Sequence, residues 1–206
     1  GKVKPGSKAA KRRKSFCARS AGQMKKFPKA AKDPNSRLRQ ARRRWKCWVK
    51  IIDNFLPKKV FQKISQIVTY DLPYYYKSDN AYKGANDLYH FLHLFYFENE
   101  VRSNFFYPVI KPLLEKIKPF TLIRAKANCY PSTEKIFKHG VHIDHDHPHH
   151  GMIFYINTND GFTILEDGTE IASVANRALI FDSAKNHQST TCTDQNVRLN
   201  LNINWI

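Results

Sequence analysis

Residues 120–130 read FTLIRAKANCY, and their small or apolar side chains alternate with polar ones at a period of two. Residues two apart on a strand share a face, so this run predicts a strand with Ala125 and Ala127 opposite Lys126 and Asn128. Further short strands are expected near residues 140–146, 151–157, 161–165, 169–174, 177–182, 187–193 and 196–205. Closely spaced short strands joined by tight turns predict an all-β sandwich or jelly roll.

The last of these strands, VRLNLNINW at residues 197–205, carries apolar and polar side chains on opposite faces. It reads either as a terminal edge strand with a solvated outer face, or as a strand whose apolar face packs under helices. In the second interpretation the face bearing Arg198 and three asparagines lines a polar cavity. Trp205 alternates with the apolar set, so we expect it in the core.

Helical patterns precede the strands. Apolar residues recur every three or four positions over residues 57–68, 86–101 and 109–117, as on amphipathic helices. We therefore predict a helical part at about 51–118 that covers one sheet, and a jelly roll at about 119–206. The fold class is mainly β with N-terminal helices, a double-stranded β-helix of the cupin-like type.

Charge divides the 206-residue chain. Residues 1–50 hold 19 lysines and arginines but one acid, Asp33, whereas residues 51–206 balance 16 basic against 16 acidic side chains. We predict a basic arm at 1–50, extended or partly helical, joined to a domain at 51–206. Such a segment should be mostly disordered alone, with a short helix from Asn35 or Ser36 to about Lys46.

Several classes of protein are excluded or disfavoured. No run approaches the ~20 apolar residues that a membrane span requires, and the first residues lack the apolar core of a secretory signal. Four scattered cysteines are too few for a disulfide scaffold, so a reducing compartment is expected.

The densest chemical signal is HGVHIDHDHPHHG at residues 139–151. On a strand, His142 and Asp144 project from one face, and His187 can supply a third ligand from another strand. Two histidines and one carboxylate form the facial triad of non-haem Fe(II) sites. The other histidines of the run are expected in a solvated loop by the site; in an alternative interpretation they capture zinc or nickel: His139, His145, His147, His149 and His150.

Arg198 follows His187 by eleven residues, and its guanidinium can hold a distal carboxylate of a metal-bound dicarboxylate in a bidentate fork. The H-x-D pair, the distant histidine and this arginine resemble the Fe(II)/2-oxoglutarate dioxygenases, whose fold is a double-stranded β-helix. The run from Phe120 to Trp205 looks like the prolyl-4-hydroxylase-like oxygenases encoded by tailed bacteriophages of marine bacteria.

The resemblance implies an iron-dependent hydroxylase with 2-oxoglutarate as co-substrate. His142, Asp144 and His187 would hold Fe(II), and Arg198 would pair with the far carboxylate of 2-oxoglutarate. Tyr130 and Asn128 are candidates for further co-substrate contacts, since related enzymes often place a hydroxyl or amide there. A protein substrate is compatible with the family.

Residues 14–48, KSFCARSAGQMKKFPKAAKDPNSRLRQARRRWKCW, resemble a short basic module of phage proteins. The resemblance favours a partner in a virion or its assembly, and a location in the virion or the infected-host cytoplasm. Neighbouring phage structural proteins, on which the arm would fold, are the expected partners, and nucleic acid bound through lysine and arginine is the alternative. A second function hypothesis follows, in which the jelly roll is a structural virion component. The candidate partner-binding residues are Arg12, Arg13, Arg42, Arg43, Arg44 and Trp45.

Overall fold

The computed structural model describes residues 7–33, 35–45, 49–78 and 88–206. The chain divides into two compact units, Gly1–Lys50 and Ile51–Ile206. Within the described ranges, no helix has both the length and the apolar character needed to cross a membrane.

The described part of the first unit forms three helices, α1 (Lys8–Lys26), α2 (Pro28–Lys32) and α3 (Arg37–Arg44). α3 falls in the region predicted as a short helix, whereas α1 and α2 were not predicted. Alanine, lysine and arginine are strong helix formers, so α1 gains intrinsic stability that a reading based on charge repulsion overlooks. The Phe16 ring also stacks on Trp45 with centroids 4.7 Å apart, which gives this unit a small apolar contact of its own.

In the second unit, two helical segments lie before residue 122. α4 (Lys58–Gln66) continues into a π-helical turn at Ile67–Asp71, and a π-helical segment at Phe106–Ile110 leads into α5 (Lys111–Ile117). α4 and α5 lie within two of the three regions predicted as helical, and the π-helical segments extend beyond those regions. Ile64 of α4 and Leu113 of α5 are fully buried against the sheet, as expected of amphipathic helices that cover one face.

Eleven strands are described in the chain. They are β1 (Lys50–Ile52), β2 (Tyr75–Lys77), β3 (His90–Phe97), β4 (Glu100–Val101), β5 (Leu122–Pro131), β6 (His150–Tyr155), β7 (Phe162–Leu165), β8 (Glu170–Ala172), β9 (Arg177–Asp182), β10 (His187–Ser189) and β11 (Val197–Trp205). The large sheet has the order β1-β9-β6-β11-β5-β3-β2, with β4 paired to β3, and a second sheet has the order β10-β7-β8. Two antiparallel sheets of this kind form the jelly roll that the alternating runs predict.

The region around β3 corrects a prediction. A helix was expected over residues 86–101, but His90–Phe97 forms a strand, and residues 86 and 87 lie outside the described ranges. The run HFLHLFYF is rich in aromatic side chains, which favour strands. Because almost every position in it is apolar, apolar residues also occur three and four positions apart, as they would on a helix. A shift in register between Leu94 and Tyr96 further obscures the period of two.

β11 lies in the middle of the large sheet, between β6 and β5, so the edge-strand interpretation is wrong. Leu201 and Ile203 face the helices and are fully buried in the main core. Arg198 and Asn200 point to the opposite face, where they too are buried. Trp205 is 7% exposed and belongs to the core, as predicted.

Candidate metal centre

His142, Asp144 and His187 converge in the cleft between the sheets. Each offers a ligand atom, and the three atoms lie within 4.8 Å of one another. His187 opens β10, whereas residues 140–146 form no regular strand, contrary to prediction. His142 instead makes an isolated bridge, with its backbone N–H donating to the His187 carbonyl at 2.9 Å and the reverse bond equally short. The bridge keeps the two imidazoles adjacent, at a centroid separation of 4.6 Å.

The hydrogen bonds of both imidazoles leave the same nitrogen available. Nδ1 of His142 donates to the Gly140 carbonyl at 3.1 Å, and Nδ1 of His187 donates to the Lys185 carbonyl at 2.9 Å. Because a carbonyl can only accept, each neutral ring carries its proton on Nδ1 and presents an Nε2 lone pair. Nε2 of His187 is buried with no hydrogen-bond partner, 3.8 Å from Asp144 Oδ2. A backbone carbonyl behind each ring is the usual support for a metal-binding histidine.

Asp144 is held ionised by its neighbours. Its Oδ1 accepts from Arg124 Nη2 at 2.7 Å, and its Oδ2 accepts from Asn204 at 2.9 Å and Asn202 at 3.4 Å. Burial alone raises the pKa of Asp144, but the Arg124 cation outweighs it, so the pKa lies well below its ordinary value. The pKa of His142 falls to about 4, chiefly through desolvation. At neutral pH Asp144 is therefore ionised and the His142 imidazole is neutral, as binding of a divalent metal requires.

Arg198 is fully buried on the cavity face of β11 and forms no ion pair in the described part of the chain. Its Nε donates to Ser173 Oγ at 2.8 Å, Nη1 donates to Ser189 Oγ at 2.6 Å, and Nη2 donates to Thr163 Oγ1 at 3.2 Å. Burial lowers the pKa of Arg198 but leaves a guanidinium cationic. A buried cation without a carboxylate partner is costly, and an anionic ligand would offset that cost.

Tyr130 and Asn128, the two further co-substrate candidates, lie on β5 beside Arg198 and line the same small cavity as His142 and His187. The ring of Tyr130 lies 5.6 Å from the guanidinium carbon of Arg198. Asn128 Nδ2 donates to Asn200 Oδ1 at 3.0 Å, while its own Oδ1 is buried without a hydrogen-bond partner. The cavity therefore contains an amide group that a bound ligand could engage.

Two cavity residues escaped the sequence reasoning. The hydroxyls of Thr163 and Ser189 contact Arg198 from β7 and β10, and no local pattern signals this, because only the pairing of the second sheet brings them there. Lys126 also lines the cavity, and desolvation together with Arg124 lowers its pKa to about 7. The alternating pattern of residues 120–130 predicted that Lys126 lies on the polar face of β5, but it did not predict that this side chain is desolvated.

The remaining histidines correct another prediction. They were expected in a solvated loop, but His139 and His149 are 1% and 5% exposed. His149 hydrogen-bonds through Nε2 to Ser183 Oγ at 2.7 Å, and His139 packs beside the Tyr130 ring. These two side chains are structural supports of the site, whereas His147 is exposed as predicted.

The arm candidates are differently placed. Arg12, Arg44 and Trp45 are exposed, and Arg13 is half-buried, with its Nε donating to the Trp45 carbonyl at 2.9 Å. Arg42 is buried, and its Nη1 donates to the Cys17 carbonyl at 2.9 Å and to Ser20 Oγ at 2.6 Å. Arg42 thus joins α3 to α1. The side chain of Arg43 lies outside the described residues.

No protein-family model and no curated protein matches this sequence. Solved structures do match. A prolyl-4-hydroxylase from Pseudomonas putida is 11% identical with a TM-score of 0.52, the match covering 77% of this chain and 92% of that one. A 2OG-Fe(II) oxygenase-family oxidoreductase from Burkholderia pseudomallei is 10% identical with a TM-score of 0.56, covering 80% and 88%.

A third match is a prolyl hydroxylase from Trichoplax adhaerens, solved with a peptide of hypoxia inducible factor. It is 14% identical with a TM-score of 0.55, covering 77% of this chain and 83% of that one. The chain has the fold of the 2-oxoglutarate oxygenases. The predicted jelly-roll fold class is thereby confirmed.

Proposed function

We propose that this protein is a non-haem Fe(II)- and 2-oxoglutarate-dependent oxygenase that hydroxylates its substrate. The observation that carries the proposal is the convergence of His142, Asp144 and His187 beside a cavity whose lining residue Ser189 accepts a hydrogen bond from Arg198. Arg198 lies four positions along β11 from Asn202, which contacts Asp144, so roughly 13 Å of strand separates these two backbone positions. The proposal places a metal-bound dicarboxylate between these two positions.

The donor set suits ferrous iron. Two imidazole nitrogens and one carboxylate oxygen are the ligands that leave open coordination positions on non-haem Fe(II). When bound, iron and 2-oxoglutarate supply the oxidising chemistry, in which O2 converts 2-oxoglutarate to succinate and CO2 and hydroxylates a substrate C–H bond.

The protein's own residues position these groups. The carbonyls behind His142 and His187 orient both rings, and Arg124 keeps Asp144 ionised. Arg198 supplies the positive charge for the far carboxylate of 2-oxoglutarate. Since hydrogen bonds to hydroxyls already occupy much of its fork, the carboxylate would be held jointly by Arg198 and the neighbouring hydroxyl groups, rather than by a free bidentate fork.

The direct test is succinate release from 2-oxoglutarate by the iron-loaded protein, with and without candidate substrates. His187→Ala should abolish release, because it removes one of three ligands. His147→Ala should leave it intact, because that histidine is exposed and lies outside the ligand set. A metal-loaded protein that never turns over, yet copurifies stoichiometrically with phage particles, would instead support the structural function.

We further propose that the basic unit tethers the oxygenase to a phage assembly, so that the protein acts in the virion or the infected-host cytoplasm. The concentration of positive charge in residues 1–50, against a neutral domain, supports a tether with its own partner. A substrate that is itself a protein of the assembly would be brought close by such a tether. Copurification with phage particles tests this role. The full-length protein should copurify, whereas a variant with neutralised lysines and arginines on α1 should not.

A further inference from the structure

α1 carries a row of positively charged side chains along one face. Lys8 and Lys26 are 18 residues apart, five turns of an ideal helix, so they lie on the same face about 27 Å apart. Three more cations fall on this face within an arc of about 100°. All five are exposed, and together they form the cationic stripe: Lys8, Lys11, Arg12, Arg19 and Lys26.

The stripe lies away from the packing face of α1. Phe16, Cys17 and Ser20 contact α3 and the residue that follows it, as described above, and they occupy other sides of the helix. None of the five stripe residues forms an ion pair in the described ranges, and Arg19 donates to the Ser15 hydroxyl at 2.8 Å. The unit has one acid, Asp33, whose carboxylate accepts from the backbone N–H of Asn35 at 2.8 Å. The charge of the stripe is therefore left uncompensated.

The geometry points to duplex DNA as the partner of this stripe, bound through its phosphates and without sequence preference. An α-helix is about 10–12 Å wide and fits the major groove of B-DNA, which is about 12 Å wide. The major groove of duplex RNA is too narrow for a helix. A stripe of about 27 Å with five cations is long enough to face several phosphates that border the groove.

The composition of the stripe favours phosphate over a protein surface. Protein interfaces are depleted in lysine and gain their affinity from buried aromatic anchors. The exposed large apolar side chains in the described part of this unit, Phe27 and Trp45, both lie outside α1. This binding site does not depend on the metal centre, so its failure would leave the oxygenase proposal untouched.

The test measures binding of the full-length protein to a fluorescent 20-base-pair duplex of random sequence between 50 and 200 mM salt. The stripe variant is Lys11→Gln, Arg12→Gln and Arg19→Gln, since glutamine preserves helix propensity. The matched control removes the same charge from exposed positions of α4, as Lys58→Gln, Lys59→Gln and Lys63→Gln. Single-stranded DNA and duplex RNA serve as further probes.

Each phosphate contact contributes about 0.9 to the slope of log K against log salt, so the stripe variant should lower the slope by up to ~2.7 and weaken binding about 100-fold at 100 mM salt. The control should bind as the unaltered protein does. The proposal is overturned if both variants weaken binding equally, if duplex RNA or single strands bind as tightly as duplex DNA, or if the protein ignores DNA and binds purified phage structural proteins. Unchanged far-ultraviolet circular dichroism shows that each variant keeps its helices.

Discussion

Replacing Arg198 with methionine separates the co-substrate site from the metal site. Methionine fills similar space but carries no charge, and the three metal-ligand side chains remain untouched. In the ligand-free protein, Arg198 is a buried cation whose contacts are hydroxyls and a carbonyl rather than a carboxylate. Removing it should therefore change the free energy of unfolding little, because the loss of hydrogen bonds is offset by relief of a buried charge.

The effect on 2-oxoglutarate should be large. Loss of a charge-assisted hydrogen bond costs about 1.5–3 kcal/mol, and a carboxylate buried without its cation raises the total to about 2–4 kcal/mol. At about 1.4 kcal/mol per tenfold change, the affinity for 2-oxoglutarate falls about 30- to 1,000-fold. The affinity of Arg198→Lys for 2-oxoglutarate should lie between those of the unaltered protein and Arg198→Met, since lysine keeps the charge but lacks the planar geometry of the guanidinium.

Isothermal titration of the metal-free variant with Mn(II), and then of the Mn(II) form with 2-oxoglutarate, measures both affinities. We expect unchanged metal binding and weak co-substrate binding for Arg198→Met, and loss of metal binding for His187→Ala. Two results would refute the assigned roles. One is equal loss of metal from both variants, and the other is unaltered affinity for 2-oxoglutarate in Arg198→Met.

Three further predictions follow from the charges around the site. Arg124→Met should lower metal affinity about 10- to 100-fold in titrations with Mn(II), because Asp144 loses its orienting cation; unchanged affinity would contradict that role. Lys126→Met should raise the stability of the ligand-free protein in urea at pH 6, where the folded protein pays to bury a charged lysine. That gain should shrink as the pH rises from about 7 towards 10.5. In this range Lys126 is neutral in the folded protein but still protonated in the unfolded chain. The metal-free protein should lose stability as the pH falls from 6.5 to about 4, because His142 is protonated in the unfolded chain before it is protonated in the folded protein. If a His142→Gln variant lost stability over the same pH range to the same extent, His142 would not be the cause.

Local patterns predicted much of the candidate site. The spacing of His142, Asp144 and His187 depends on side-chain chemistry and on the period of an extended chain, both of which are readable in one sequence. The first two side chains converge although the segment forms only a single bridge instead of a strand. An extended backbone suffices to project residues two apart in the same direction.

Two predictions failed because their outcome depends on distant parts of the chain. The apolar residues of β3 follow each other without a period that distinguishes a helix from a strand. The segment forms a strand because it pairs with β5. The burial of His139 and His149 likewise follows from the neighbours Tyr130 and Ser183, which are remote in sequence.

The amino-acid sequence by itself determined the division into a basic segment and a neutral domain, the alternating strands, and the ligand types at the centre. These are properties of composition and short-range period, which need no knowledge of neighbours in space. Only the tertiary structure decided that β11 lies between β5 and β6, and that Thr163 and Ser189 surround the guanidinium of Arg198. Strand order and register arise from backbone pairing between distant segments, and no local pattern in a single sequence encodes which strands will meet.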